Sequence, residues 1–419
     1  MRVEFPHVGE TLHHTVLDNG LTVYLLKKVG YEKTYATFTT KYGSIDRRFK
    51  TEEWTEVPDG IAHFLEHKMF EKEDGDVFQK FGRFGASANA FTSFTRTAYL
   101  FGATSNVEAN LTTLMDFVQT PYFTEASVEK EKGIIGQEIQ MYQDNPGWRL
   151  YFGLIEAIYA THPVNIDIAG TIESIGKITA DDLYTCHRAF YHPSNMVLFV
   201  VGNIDPDDVL AQIKTNQGAK TFDPPLLTAR EPIEEPETVH QAERVIEMDV
   251  SVPKVMIGYK DTPQAGAAGM KQELIVELLM HSLFDTTAPL YAELYAEGLI
   301  DDAFSFDYTS EDTFAFAALS METPHVDTFV SRITSALERP LHVDDATLTR
   351  KKRMMKGQFL KALNSPEFIA NQFSRYALNG GNMFEMPDVL DGITLDELYE
   401  AYDRLFQADK RSVCIVKKP

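Results

Sequence analysis

The strongest constraint on how this chain folds is that it contains itself twice. Residues 178–184, Ile-Thr-Ala-Asp-Asp-Leu-Tyr, return as residues 393–399, Ile-Thr-Leu-Asp-Glu-Leu-Tyr. Each copy reads as the start of a helix. Thr179 and Thr394 take the N-cap position, and an acid, Asp182 or Glu397, follows three residues later. Glu397 completes a capping box and Asp182 approximates one. The offset, 393 − 178 = 215, continues through an aromatic-ended helix into a β-branched strand, Val197–Val201 in one copy and Ser412–Val416 in the other. A repeat of this length fills each half of the chain and predicts two copies of one αβ domain. The boundaries expected are 1–215 and 241–419, with a linker over 216–240. There Asn216-Gln-Gly, Asp223-Pro-Pro, Glu231-Pro and Glu234-Glu-Pro break any periodicity.

Within the first half, Leu17–Leu26 reads as a strand entered through an Asn19-Gly20 turn, and Thr34–Tyr42 as a second strand ending at Gly43-Ser44. Ala86–Phe101 reads as a strand pair or one long edge strand, and helices follow at 106–118, 125–144 and 146–160. The fold class expected is α+β: two homologous domains, each a largely antiparallel sheet packed with helices, related by a pseudo-twofold. Acidic residues exceed basic ones by 62 − 39 = 23. That balance argues against nucleic acid and anionic membrane surfaces as partners. It suits basic peptides, and equally an acidic, solvated surface that needs no substrate. Two distant cysteines, Cys186 and Cys414, and an N-terminus without an apolar core segment point to a reducing, cytoplasmic setting.

Residues 61–70, Ile-Ala-His-Phe-Leu-Glu-His-Lys-Met-Phe, contain His63, Glu66 and His67 in an H-x-x-E-H pattern. On a helix these three fall within a wedge of roughly 100°. Two imidazoles one turn apart can hold one metal ion, with a carboxylate beside them to handle the proton of a water that the metal activates. This is the inverzincin order. Asp59 stands where an N-cap would, and Ile61, Phe64 and Leu65 point away from the wedge. The second half does not repeat the motif; its counterpart, Lys271–His281, has a single His, so one metal site per chain is expected.

A catalytic metal site of this kind needs a third protein ligand. The best supplier is the helix Glu125–Asp144, where Glu131 and Glu138 lie two turns apart on the face of Val128 and Ile135. Carboxylates on an apolar face imply a cation or a hydrogen-bonded network, or a buried salt-bridge or capping role for both. Glu129 reads as an ordinary solvated residue.

At this point the chain resembles the pitrilysin/insulinase zinc peptidases, above all the processing-peptidase-like subgroup with two domains per chain. Beyond H-x-x-E-H and E-x6-E, the resemblance rests on Leu17-x-Asn19-Gly20-Leu21-x-Val23, Gly43-Ser44, Asn89-Ala90-x-Thr92 with Tyr99, His162-Pro163, Gly170-Thr171 and Asn195-Met196…Gly202. It implies that His63, His67 and Glu138 bind Zn2+, that Glu66 is the general base, and that Glu131 supports a ligand from behind. It also implies that Ala88, Asn89, Ala90, Phe91 and Thr92 form an edge strand onto which a peptide adds, inside a clamshell closed by two chains or linked halves.

The resemblance departs in one place. Catalytically complete members carry an Arg and, seven residues later, a Tyr in the second domain, which stabilise the oxyanion. Here Tyr295 falls where the Arg should be, Asp301 or Asp302 where the Tyr should be, and no Arg occurs between 286 and 304. Two readings follow. The chain is a zinc-dependent endopeptidase, or its zinc-bearing subunit, cleaving small unfolded peptides with a paralogous partner that supplies Arg and Tyr. Alternatively it is a non-catalytic peptide-binding or assembly subunit of the same fold. A homodimer with a substitute such as Tyr295 stays open.

Overall fold

The structure is a computed structural model and describes residues 1–419. The two repeated strands each sit inside an open sheet. The first sheet comprises β1 (Arg2–Phe5), β2 (Glu10–Val16), β3 (Thr22–Lys27), β4 (Thr34–Thr40), β5 (Ala86–Thr92), β6 (Thr97–Ala103) and β7 (Met196–Gly202), in the order β1-β2-β3-β7-β4-β6-β5. The second comprises β8 (Glu243–Glu247), β9 (Lys254–Asp261), β10 (Ser305–Ser310), β11 (Ala315–Glu322) and β12 (Arg411–Lys417), in the order β8-β12-β9-β11-β10. Five strands correspond one for one, down to the single parallel pair in each sheet, β3–β7 and β8–β12. The fold is thus the α+β arrangement of largely antiparallel sheets that the repeat implies. The central strands β4 and β7 are buried along their whole length, as expected of strands covered on both faces. Ala86–Phe101 is a strand pair: Ser93 N–H donates to Arg96 O at 2.8 Å and turns β5 into β6.

The helices that matter for the site are α1 (Ile61–Met69), α2 (Glu125–Gln143), α3 (Pro146–Ile158) and α4 (Ala180–Phe190) in the first half. In the second they are α5 (Gly266–Phe284), α6 (Asp345–Ala362), α7 (Pro366–Leu378) and α8 (Leu395–Leu405). Both copies of the repeat cap as expected. Thr179 and Asp182 bond reciprocally at the start of α4, as do Thr394 and Glu397 at α8, so Asp182 forms a full capping box.

The chain forms two compact units. One contains residues 1–139, 167–232 and 360–384; the other contains 140–166, 233–359 and 385–419. These units differ from halves cut at 216–240 by two exchanged segments, each carrying a helix. Helix α3 covers the second sheet, where a Cβ on Gly153 would lie 2.6 Å from Ile246 and 2.8 Å from the Cys414 sulfur. Glycine there lets the helix approach that closely. Helix α7 covers the first sheet, with Phe373 against Tyr24 and Phe199 at ring separations of 4.7 and 4.8 Å and Ser374 Oγ 3.1 Å from Thr37 Oγ1. Amphipathic periodicity shows that a helix has an apolar face, not which sheet that face covers. No helix is long and apolar enough to cross a membrane.

In the second unit, the segment after 232 is anchored by Glu235. Its carboxylate accepts the N–H groups of Ala160, Thr161 and His162 at 2.9, 2.8 and 2.7 Å, and the Lys260 ammonium at 2.5 Å. Burial opposes the charge, but these donors outweigh it and hold the carboxyl at about 2. Next to it, burial pushes the His162 imidazole down to about 4. Both shifts act in one direction. The His162 contribution is intact above its ordinary value of 6.5 and lost as pH falls toward 4; that of Glu235 is intact above 4.5 and lost toward 2. Urea unfolding is therefore expected to show stability dropping in two stages between pH 7 and pH 2. Glu235→Gln should cost about 2 kcal/mol at pH 7 and abolish the lower stage.

Candidate metal centre

Helix α1 begins one residue later than an Asp59 cap would place it. Its N-cap is Gly60 at φ 88°, and no side chain caps it. The cause is tertiary. A Cβ at Gly60 would lie 2.4 Å from Ala169 O, and one at Gly170 (φ 72°) would lie 2.5 Å from Asp59 O. Two glycine turns press backbone against backbone, and Ser174 Oγ ties them by donating to Asp59 O at 2.8 Å. The Asp59 carboxylate instead faces Arg47 at 3.5 Å. The apolar back of the helix is as expected: Ile61, Phe64, Leu65 and Met69 are buried.

On the front, His63, His67 and Glu138 converge. One ligand atom from each lies within 4.8 Å of the others, with His63 Nε2 and His67 Nε2 at 3.7 and 3.6 Å from Glu138 Oε2. These gaps are too long for hydrogen bonds. They lie near the separation of about 3.3 Å that ligand atoms keep around a tetrahedral zinc ion. Two imidazoles and one carboxylate also make a donor set that zinc accepts. The residues therefore fit such an ion.

The electrostatics agree. Burial, reinforced by His67, pushes the His63 imidazole well below its ordinary value, which favours the neutral ring whose lone pair a metal can take. His67 Nδ1 lies 3.2 Å from Glu131 Oε1. A carboxylate only accepts, so Nδ1 carries the proton and Nε2 is left as the electron-pair donor. Burial disfavours charge on His67, but the bond to Glu131 and the charges of Glu66 and Glu138 outweigh it and raise its pKa. A metal dication would take the place of that proton. Glu131 is likewise desolvated by burial, yet His67 and Lys68 hold its carboxyl below the ordinary range.

Glu66 is buried beside the trio. Burial pushes its carboxyl up to about 7, against the Thr92 hydroxyl, which donates to Oε2 at 2.6 Å, and against His67, while Glu138 adds to the rise. Two roles here are not anticipated by the sequence reading. One is the Thr92 hydroxyl bond. The other is Lys68, fully buried, paired with Glu71 and 3.8 Å from Glu131 Oε2. The i,i+3 spacing of Lys68 and Glu71 signals that pair; the reach to Glu131 is a product of helix packing.

Strand β5, which carries Ala88, Asn89, Ala90, Phe91 and Thr92, is the edge of its sheet. Ser93 hydrogen-bonds to Arg96, so by the alternation of an antiparallel ladder Ala88, Ala90 and Thr92 turn their main-chain groups outward. Asn89 Oδ1 accepts the outward N–H of Ala90 at 2.9 Å.

The second unit has no equivalent trio. Helix α6 corresponds to α2 at an offset of 345 − 125 = 220, which sets Lys351 at the position of Glu131 and Gln358 at that of Glu138. Lys351 is buried against Asp285 and Thr287, with His281 Nδ1 3.9 Å from Asp285. An ammonium group holds that place. Tyr295, 55 % exposed, stacks on Tyr291 at 6.0 Å, and Asp301 and Asp302 are exposed. None of the three carries a positive charge.

Residues 53–172 match the family described as Insulinase (Peptidase family M16), and residues 177–355 match that described as Peptidase M16 inactive domain. A Bacillus subtilis protein described as uncharacterized zinc protease YmfH is 53 % identical over 99 % of this chain and 98 % of its own length. An Arabidopsis thaliana protein described as probable mitochondrial-processing peptidase subunit beta is 23 % identical over 93 % of this chain and 75 % of its own. Among solved structures, an M16-like peptidase from Alicyclobacillus acidocaldarius superposes with a TM-score of 0.95 at 37 % identity, with all of both chains covered.

Metal analysis of purified variants checks the trio. His63→Ala, His67→Ala and Glu138→Ala are each expected to lose bound zinc. Glu131→Gln should keep the site and weaken its affinity about 10- to 100-fold, because it replaces the charged acceptor that orients His67 by a neutral amide oxygen. Undiminished zinc in the Glu138 variant would exclude it as a ligand.

Proposed function

This chain belongs to the insulinase (M16) family of peptidases, and on that basis we propose that it is a zinc-dependent endopeptidase of small unfolded peptides, its active site completed by a paralogous chain. The observation that carries this reading is the convergence of His63, His67 and Glu138 beside the buried Glu66. The descriptions of the relatives as zinc proteases support zinc as the metal. We take one ion per chain, since the trio has no counterpart in the second unit, and a reducing compartment such as the cytoplasm, since both cysteines are buried, unpaired thiols.

When bound, zinc supplies a Lewis acid that polarises the scissile carbonyl and acidifies water. The rest is the work of the chain's own residues. His63 and His67 present neutral ring nitrogens. Glu66 takes a proton from the attacking water and passes it to the leaving amine, a shuttle for which a carboxyl near neutrality is suited. The outward main chain of β5 pairs with an extended peptide, which gives tolerance of side-chain sequence. Small side chains at Ala88 and Ala90 leave room for it.

What the chain lacks is a cation for the oxyanion. Tyr295, Asp301 and Asp302 cannot supply one, and Arg332, the cation that meets helix 289–296, is held by Glu293 and Glu297. This absence supports a partner chain bearing Arg and Tyr. The same absence is what favours the second reading, a non-catalytic peptide-binding subunit. Cleavage of a mixed peptide pool separates them. The pure chain should be weakly active or inactive and should gain activity when the paralogue is added. Glu66→Gln in the assembled enzyme should keep zinc and lower turnover about 10²- to 10⁴-fold. High turnover of the isolated chain, unchanged by the paralogue, would remove the case for a partner. No cleavage in any combination would favour the binding subunit.

A further inference from the structure

Helix α1 fixes the Cα of Glu66 but not its carboxylate. A glutamate has three side-chain torsions, and a base displaced by an ångström loses much of its effect. The group that pins it is on another element. Thr92, the last residue of edge strand β5, donates its hydroxyl to Glu66 Oε2 at 2.6 Å. The bond engages Oε2, and Oε1 is left to receive a proton from water. Thr92 is a stiff post, because a β-branched side chain in a strand has few rotamers.

The polarity of the contact is set by its surroundings. Opposite Thr92 in the ladder stands Thr97, whose hydroxyl donates to Tyr42 O at 2.9 Å and lies 3.4 Å from Thr92 Oγ1. With the Thr97 proton committed to a carbonyl and the ionised form of Glu66 able only to accept, the Thr92 proton points to the carboxylate. Behind this pair, Tyr99 and Tyr191 join their hydroxyls at 2.8 Å in a fully buried layer, so no water competes from that side. The main-chain groups of Thr92 meanwhile face the open edge of the sheet.

We propose that Thr92 is a positioning residue: its hydroxyl sets the Glu66 carboxylate while its main chain forms part of the edge on which the peptide lies. This rests on the reading of Glu66 as the base. One residue then aligns substrate and base, so a peptide seated in the ladder meets a carboxylate already in place.

The test uses Thr92→Val, which keeps shape and strand preference but removes the hydroxyl, and Thr92→Ser, which keeps the hydroxyl. Crystal structures of both variants and peptide cleavage by the zinc-loaded, partner-complemented enzyme are measured, with Glu66→Gln as reference. In the Val variant the Glu66 carboxylate should leave its position and kcat should fall about 10- to 100-fold, with KM and zinc content within about twofold of the parent. In the Ser variant the carboxylate should stay and kcat should recover to within about threefold. A Val variant with Glu66 unmoved, a change confined to KM, or a failure of Ser to rescue overturns the proposal. Glu66→Gln cleaving at the parent rate would instead overturn the base reading, and this proposal with it.

Discussion

Where α1 meets α2, two imidazoles, three carboxylates and an ammonium are concentrated in a space that excludes most water. His63, Glu66 and Lys68 are 9 %, 7 % and 0 % exposed. Such groups cannot be buried singly; each needs a partner of complementary charge or hydrogen-bonding sense. Lys68 finds Glu71 and Glu131, His67 finds Glu131, and Glu66 finds Thr92. On the inward face of the trio, two ring nitrogens and a carboxylate oxygen converge but stand beyond hydrogen-bond reach of one another. A dication placed among them would draw on all three at once. Glycine turns at 60 and 170 hold the entry of α1 in place, so the front of the helix depends on close backbone contact at its N-terminus.

The duplicated architecture shows how little of the chemistry belongs to the fold itself. Five strands of each sheet correspond, and the capping boxes at Thr179 and Thr394 correspond. At the position of Glu131, however, the second unit carries Lys351, which neutralises Asp285. Both units meet the demand for buried positive charge, one with a place for a metal and the other with a side chain. Function is thus a matter of a few substitutions on a shared frame.

Much of this was legible from the residues. The repeat announced two sheets of one topology, and helical spacing put Glu131 and Glu138 on a common face with Val128 and Ile135. The strand pair within Ala86–Phe101 and the three helices after it lie within a residue or two of where periodicity places them. What escaped is what tertiary contact decides. Asp59 has the chemistry of an N-cap, but the approach of Ala169 makes Gly60 the residue that fits. Helices α3 and α7 have clear apolar faces, yet nothing local says that each covers the sheet built mainly from the other half. Thr92 reads as an ordinary strand residue until the strand is laid beside Glu66.

The central claim is that His63, His67 and Glu138 hold one zinc ion. Anomalous scattering across the zinc absorption edge, from crystals of the protein grown without chelator, tests it most directly. A single peak per chain is expected, within about 2.2 Å of one nitrogen of each imidazole and one oxygen of Glu138. No peak at that position, or a peak elsewhere in the chain with the trio bare, would contradict it.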